Sequence, residues 1–96
     1  MYYFYVLQSD LDSKYYYGST TNLKRREAEH RNGKVSATNY RRPIRLVYYE
    51  AYENLRQARF REQQVKSSGS VRLALHKRIT LPYEGPARPP AGKPGQ

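Results

Sequence analysis

Tyr2-Tyr3-Phe4-Tyr5-Val6-Leu7-Gln8 is a nearly unbroken aromatic and aliphatic run. A strand with one wet face would alternate apolar and polar residues, so this run has the pattern of a strand covered on both faces. Ser9-Asp10-Leu11-Asp12-Ser13 follows with turn chemistry, and Tyr15-Tyr16-Tyr17 supplies a second short strand ending at Gly18. The pair reads as a hairpin.

Working outward, Thr20-Thr21-Asn22 offers N-cap side chains for a helix running through Glu29 and His30, with Asn32-Gly33 as its stop signal. Residues 34–44 are polar, include Arg41-Arg42-Pro43, and read as a loop. Arg45 to Ala51 is a third strand. Asn54 caps a helix over 55–67, with Gln57 as its capping-box partner. Ser68-Gly69-Ser70 breaks that helix, and 71–80 forms a last one with Val71, Leu75 and Ile79 along one side. The order β-β-α-β-α-α predicts an α/β chain of the α+β type, a small three-stranded antiparallel sheet flanked by helices. Residues 1–81 form the domain. Residues 82–96 hold five of the six prolines and three of the six glycines, the composition of a flexible or polyproline-like tail.

Composition narrows the function. The chain has 96 residues and eleven tyrosines against two phenylalanines, a choice that fills a core with rings and leaves hydroxyls at its edge. Cysteine is absent, which excludes disulfides, thiolate-bound zinc and cysteine nucleophiles. No apolar run reaches the ~18 residues of a membrane span. Met1 to Leu7 lacks the basic start and cleavage site of a signal peptide, so a cytoplasmic protein is expected. Eighteen Lys and Arg against eight Asp and Glu leave +10. Residues 1–44 carry eight bases and four acids (+4), 45–81 eight and three (+5), and 82–96 two and one (+1). The charge belongs to the folded body and predicts a polyanionic partner, nucleic acid first, against the plainer reading of solubility.

Four features carry possible chemistry. Glu62 lies four residues after Ala58 and three before Val65, in the middle of the apolar stripe of its helix. Either donors or a cation meet it there, or the stripe is misplaced and Glu62 is a surface residue. Arg26 and His30, four apart on one helical face, form either an anion clamp or part of a solvated basic face with Lys24, Arg25 and Arg31. Asp10 and Asp12 read as turn formers. Tyr3, Tyr5 and Leu7 share one strand face, Phe4 and Val6 the other; periodicity alone makes them core. There is no phosphate-binding glycine loop and no G-x-S-x-G, so nucleotide and serine-based hydrolysis have no support.

Together these residues resemble the GIY-YIG endonuclease family, in particular its small stand-alone bacterial members, similar to the nuclease domain of the excision-repair incision subunit. The first motif stands as Tyr3-Phe4-Tyr5 and the second as Tyr16-Tyr17-Gly18; Arg26, His30 and Glu62 follow at fitting intervals, so the resemblance spans about residues 1–80. It implies a metal-dependent endonuclease acting on DNA, with DNA repair as its setting. Glu62 resembles the sole carboxylate ligand of one divalent ion, Mg²⁺ or alternatively Mn²⁺. Arg26 resembles the arginine that neutralises the scissile phosphate, and Tyr5 and Tyr16 the pair that positions or deprotonates water. His30 resembles a further hydrogen-bonding partner, and Gly18 the glycine whose bareness keeps the approach to the phosphate clear. Lys24, Arg25, Arg41, Arg42, Arg45 and Lys66 are the bases expected to track the DNA backbone.

The chain departs from the family pattern in three places. Tyr3 replaces the first-motif glycine while Phe4 and Tyr17 replace central aliphatics; Ser19 stands where some members carry lysine; and no asparagine follows Asn54. The rival reading is a non-catalytic nucleic-acid-binding module in which strand aromatics stack on bases. Stacking needs rings exposed on the sheet, whereas catalysis needs hydroxyls converging on Arg26 and Glu62. A small ribosome-associated structural protein would explain the charge but not Glu62.

Overall fold

β1 (Tyr2–Ser9) is the middle strand of a three-stranded antiparallel sheet, between β2 (Tyr15–Thr20) and β3 (Ile44–Tyr52). Among the described residues three α-helices flank it: α1 (Leu23–Arg31), α2 (Leu55–Ser67) and α3 (Gly69–Thr80). The computed structural model describes residues 1–80, so the predicted tail at 82–96 lies outside the described residues. The element order is the expected β-β-α-β-α-α.

The apolar run becomes the centre of two cores, one on each sheet face. Phe4 and Val6 pack with Val65 of α2 and Leu75 of α3; Tyr5 and Leu7 pack with Ile44, Leu23 and Tyr16 on the face covered by α1. Phe4, Tyr5, Val6 and Leu7 are all buried, which is why their sequence does not alternate. The pairing of β1 with β3 shifts between Val6 and Leu7, where Val6 opposes Tyr48 but Leu7 opposes Leu46. This bulge lets Val47 and Tyr48 both pack toward α2 and α3. Tyrosine hydroxyls land on polar partners at the core's rim. Tyr48 and Tyr52 donate to Glu50, which also receives the Arg61 guanidinium at 3.0 and 3.1 Å, and the Tyr17 hydroxyl bonds His76 Nε2.

Local signals set the helix ends. Asn22 Oδ1 accepts from Arg25 N–H at 3.0 Å, and Gly33 follows α1 at φ +78°, the left-handed conformation that favours glycine. Asn54 and Gln57 form the predicted reciprocal capping box at 2.9 and 3.3 Å. Two expectations need correction. The break at 68–70 is a single residue, because Ser68 ends α2 in extended backbone and its Oγ accepts from Val71 N–H at 3.3 Å, starting α3 at Gly69. Arg72 then reaches back to the Val65 and Lys66 carbonyls at 3.0 and 3.1 Å, tying the helices together. The 34–44 segment is also not all irregular: Asn39–Arg41 makes one 3₁₀ turn, closed by Arg41 N–H on the Thr38 carbonyl at 3.0 Å. Among the described residues no helix is long and apolar enough to cross a membrane.

Candidate active site

Tyr5 and Gly18 stand directly opposite each other in the β1–β2 register. A Cβ on Gly18 would sit 2.4 Å from the Tyr5 hydroxyl oxygen and 2.5 Å from Cζ. Only glycine lets the phenol lie across β2, and β2 is an outer strand, so the hydroxyl reaches the sheet's edge. The obstacle at position 18 is therefore Tyr5 itself, a different reason for the glycine from the one the family resemblance implies.

α1 brings two groups to that hydroxyl. His30, fully buried in the last turn, places Nε2 3.0 Å from the Tyr5 oxygen and Nδ1 2.8 Å from Thr38 Oγ1. Its ring packs 5.0 Å from that of Tyr16 and 5.8 Å from that of Tyr5. One turn earlier, Arg26 pairs with Glu29 at 3.1 Å, and its positive charge bears on the Tyr5 hydroxyl. Arg26 and His30 thus both bear on Tyr5, while Lys24, Arg25 and Arg31 of the same helix are exposed, the last two pairing with Glu29 and Glu27.

Glu62 arrives from the other side. α2 covers the face opposite α1, and the Glu62 carboxylate turns to β2, accepting from Ser19 Oγ at 2.6 Å and from Lys66 Nζ at 2.6 Å. Its side chain is 22% exposed, at the margin of the stripe between buried Ala58 and Val65. Donors meet it, as its placement demanded. Ser19, noted only as a departure from the family, is one of those donors. α1 packs on β1 and β3 while α2 packs on β2 and β1, so the two helices approach the Tyr5–Gly18 pair from opposite faces, and the Glu62 charge bears on the Tyr5 hydroxyl less than Arg26 does.

Burial dominates the electrostatics. It pushes the Tyr5 phenol up to about 12, against the opposing pull of Arg26; the nearby Tyr16 and Glu62 add to the rise. Burial, reinforced by the Arg26 charge, brings His30 down to about 4. At neutral pH the centre holds a neutral imidazole and a protonated phenol.

The proposed backbone-tracking bases fall into different settings. Lys66 is on Glu62, Arg45 on Asp10 at 3.0 Å, and Arg41 on Asp12 at 3.4 Å. Arg25 stands 3.9 Å from Glu29, and Arg42 donates to the Asn39 carbonyl at 2.8 Å. Lys24 lines an open concavity beside Tyr3 and Tyr49. Sequence reading missed Thr38, a hydroxyl in a polar loop with no periodicity to mark it.

A three-stranded α+β sheet thus brings Tyr5, Tyr16, Arg26 and His30 together on its α1 side, with Glu62 bonded to Ser19 of the outer strand from the α2 side. Residues 1–71 match the profile of the GIY-YIG catalytic domain, and the chain belongs to the GIY-YIG family of nuclease domains. Its relatives include a UPF0213 protein of Streptococcus pyogenes, 35% identical over 82 residues, covering 79% of this chain and 88% of the relative. A UPF0213 protein of Listeria welshimeri is 42% identical over 57 residues, 58% of this chain and 62% of that one. Among solved structures, the solution NMR structure of a UPF0213 protein of Bacillus halodurans is similar at a TM-score of 0.54 and 34% identity, covering 86% of this chain and 90% of that one.

Proposed function

We propose that this chain is a metal-dependent endonuclease that hydrolyses DNA phosphodiesters, with Tyr5, Tyr16, Arg26, His30 and Glu62 as its working groups. The carrying observation is the Tyr5 hydroxyl held over Gly18 between His30 Nε2 at 3.0 Å and the Arg26 guanidinium. A phosphate at this edge would meet Arg26 as its cation, leaving the two phenols to orient water for in-line attack. Arg26 also lowers the cost of ionising Tyr5, so phosphate neutralisation and base formation draw on one residue.

The donor set suits a hard divalent cation. Glu62 is a single carboxylate, partly open to solvent, and Mg²⁺ characteristically keeps several waters and takes one or two protein carboxylates. Glu62 would hold it, with Ser19 steadying one oxygen and Lys66 yielding the other. Such an ion supplies Lewis-acid stabilisation of charge on the phosphate and leaving oxygen. No cluster of three or more His, Cys, Asp or Glu exists among the described residues, so Glu62 would act alone.

One observation favours the binding-module reading: Tyr49 is 54% exposed and packs edge-on to Tyr3 with ring centroids 6.0 Å apart, a possible stacking surface. Tyr5 is buried and aimed at His30, which stacking does not require. The deciding experiment measures nicking and binding in parallel, with Mg²⁺ and with chelator, over branched, flapped and duplex DNA. Glu62→Gln and Tyr5→Phe should each lose cleavage by orders of magnitude, since every ~1.4 kcal/mol of lost stabilisation is tenfold in rate. Both should keep DNA affinity in chelator. Undiminished nicking by Glu62→Gln would remove that residue from the mechanism.

A further inference from the structure

Three hydroxyl and ring groups form a chain through the protein: Thr38 Oγ1, the His30 ring and the Tyr5 oxygen, linked at 2.8 and 3.0 Å. A neutral imidazole carries one N–H, so the chain has two self-consistent proton arrangements. In one, Tyr5 donates to Nε2 and Nδ1–H donates to Thr38. In the other, Thr38 donates to Nδ1 and Nε2–H donates to Tyr5. Each leaves one hydroxyl proton over, at Thr38 in the first case and at Tyr5 in the second.

The two ends are not equivalent. Thr38 is fully buried, and among the described residues its hydroxyl has no partner except His30 Nδ1. A buried O–H without an acceptor loses about 1–3 kcal/mol. Tyr5 is itself only 2% exposed, but its hydroxyl lies over Gly18 at the sheet's outer strand, under the influence of Arg26, whose side chain is 36% exposed. A water or a phosphate oxygen entering beside Arg26 would take the spare proton there. The Arg26 guanidinium also favours an arrangement in which the Tyr5 oxygen accepts and its own proton points away.

We infer that Thr38 is a positioning residue: by donating to Nδ1 it holds the His30 proton on Nε2, so that His30 donates to the Tyr5 oxygen and does not accept from it. This deepens the nuclease reading and rests on it for its catalytic consequence. Tyr5 then receives the His30 hydrogen bond beside the Arg26 cation, both of which stabilise the phenolate, while its proton faces the substrate side. His30 is a donor in this scheme and takes no proton.

The test reads the ring nitrogens directly. The full chain, labelled with ¹⁵N in histidine, is examined by long-range proton–nitrogen correlation without DNA, with His76 as the second ring in the same spectrum. His30 should show protonated Nε2 and bare Nδ1. Thr38→Ser should keep that pattern, and Thr38→Val and Thr38→Ala should lose it to the other tautomer or a mixture. A wild-type ring protonated on Nδ1 overturns the inference, as does an unchanged ring in both hydroxyl-free variants. If those variants fail to fold, the wild-type and Thr38→Ser spectra decide between the arrangements. In cleavage, Thr38→Val should lower kcat about 10–100-fold with KM unchanged, taking as a guide the range for partners that orient metal-bound histidines, and Thr38→Ser should restore it. A chain that cuts no DNA would defeat the nuclease reading and leave the spectra to judge Thr38.

Discussion

At Tyr5, burial and charge act in opposite directions, and burial prevails. A phenol held up to about 12 is almost wholly protonated at neutral pH, so a reaction that needs its phenolate gains active sites as hydroxide rises. With saturating DNA and Mg²⁺, the logarithm of the cleavage rate should climb by about one per pH unit between pH 7 and 9. A flat profile would show that Tyr5 acts without ionising. His30 gives the opposite kind of pH effect, on stability. Its folded value of about 4 lies below the unfolded 6.5, so between these limits the unfolded chain binds more protons. Stability is complete above that window and is lost as pH falls through it. Urea unfolding at pH 7 and 4.5 should show wild type losing about 2–3 kcal/mol more than His30→Gln, the carboxylates common to both cancelling. Equal losses would mean that His30 is solvated.

Among the elements, α2 carries the most consequence for the site, because it alone delivers Glu62. Its start is set by the Asn54–Gln57 capping box, far from Ser19 and Lys66. Asn54→Ala should cost about 1 kcal/mol of stability. Thermal unfolding would register it as a fall of roughly 4–8 °C, with cleavage at saturating substrate unchanged below the transition. A drop in kcat of the folded variant would show that the cap also positions Glu62. The joint to α3 illustrates how an element boundary escapes sequence reading. Ser68, Gly69 and Ser70 are all helix-breaking by composition, yet Ser68 alone suffices to end one helix and cap the next. The loop before β3 behaves similarly, since its 3₁₀ turn positions Thr38 under His30 with no apolar pattern to announce it.

For the whole molecule, the net +10 overstates the charge available to DNA. Arg45, Arg41 and Lys66 already face carboxylates, and Arg61 is tied to Glu50. Lys24 has no carboxylate within salt-bridge distance among the described residues and lines an open concavity on the α1 side. Each phosphate neutralised contributes about −0.9 to the slope of log K against log[salt]. Lys24→Ala should therefore flatten the slope by about that amount, and Arg45→Ala by less, because Asp10 partly neutralises it. Titrations of a duplex from 50 to 200 mM salt, values chosen to span roughly a fourfold range, would check this. An equal change in both variants would mean that Arg45 abandons Asp10 on binding.

How much was legible follows from how far each signal reaches along the chain. The strand covered on both faces, the capped starts of α1 and α2 and the six-element order were written in residue types and periods, because cap, pleat and helical repeat act over a few neighbours. The ordered set Tyr5, Tyr16, Gly18, Arg26, His30 and Glu62 was visible as a pattern, but not what its members touch. Tertiary structure alone decided that Gly18 yields its space to Tyr5, that Ser19 and Lys66 hold Glu62, that Thr38 lies beneath His30, and which bases face acids. These contacts join residues 25 apart for Tyr5 and His30 and 43 apart for Ser19 and Glu62. Strand register and the packing of α1 and α2 on opposite faces of one sheet create them, and neither leaves a local mark.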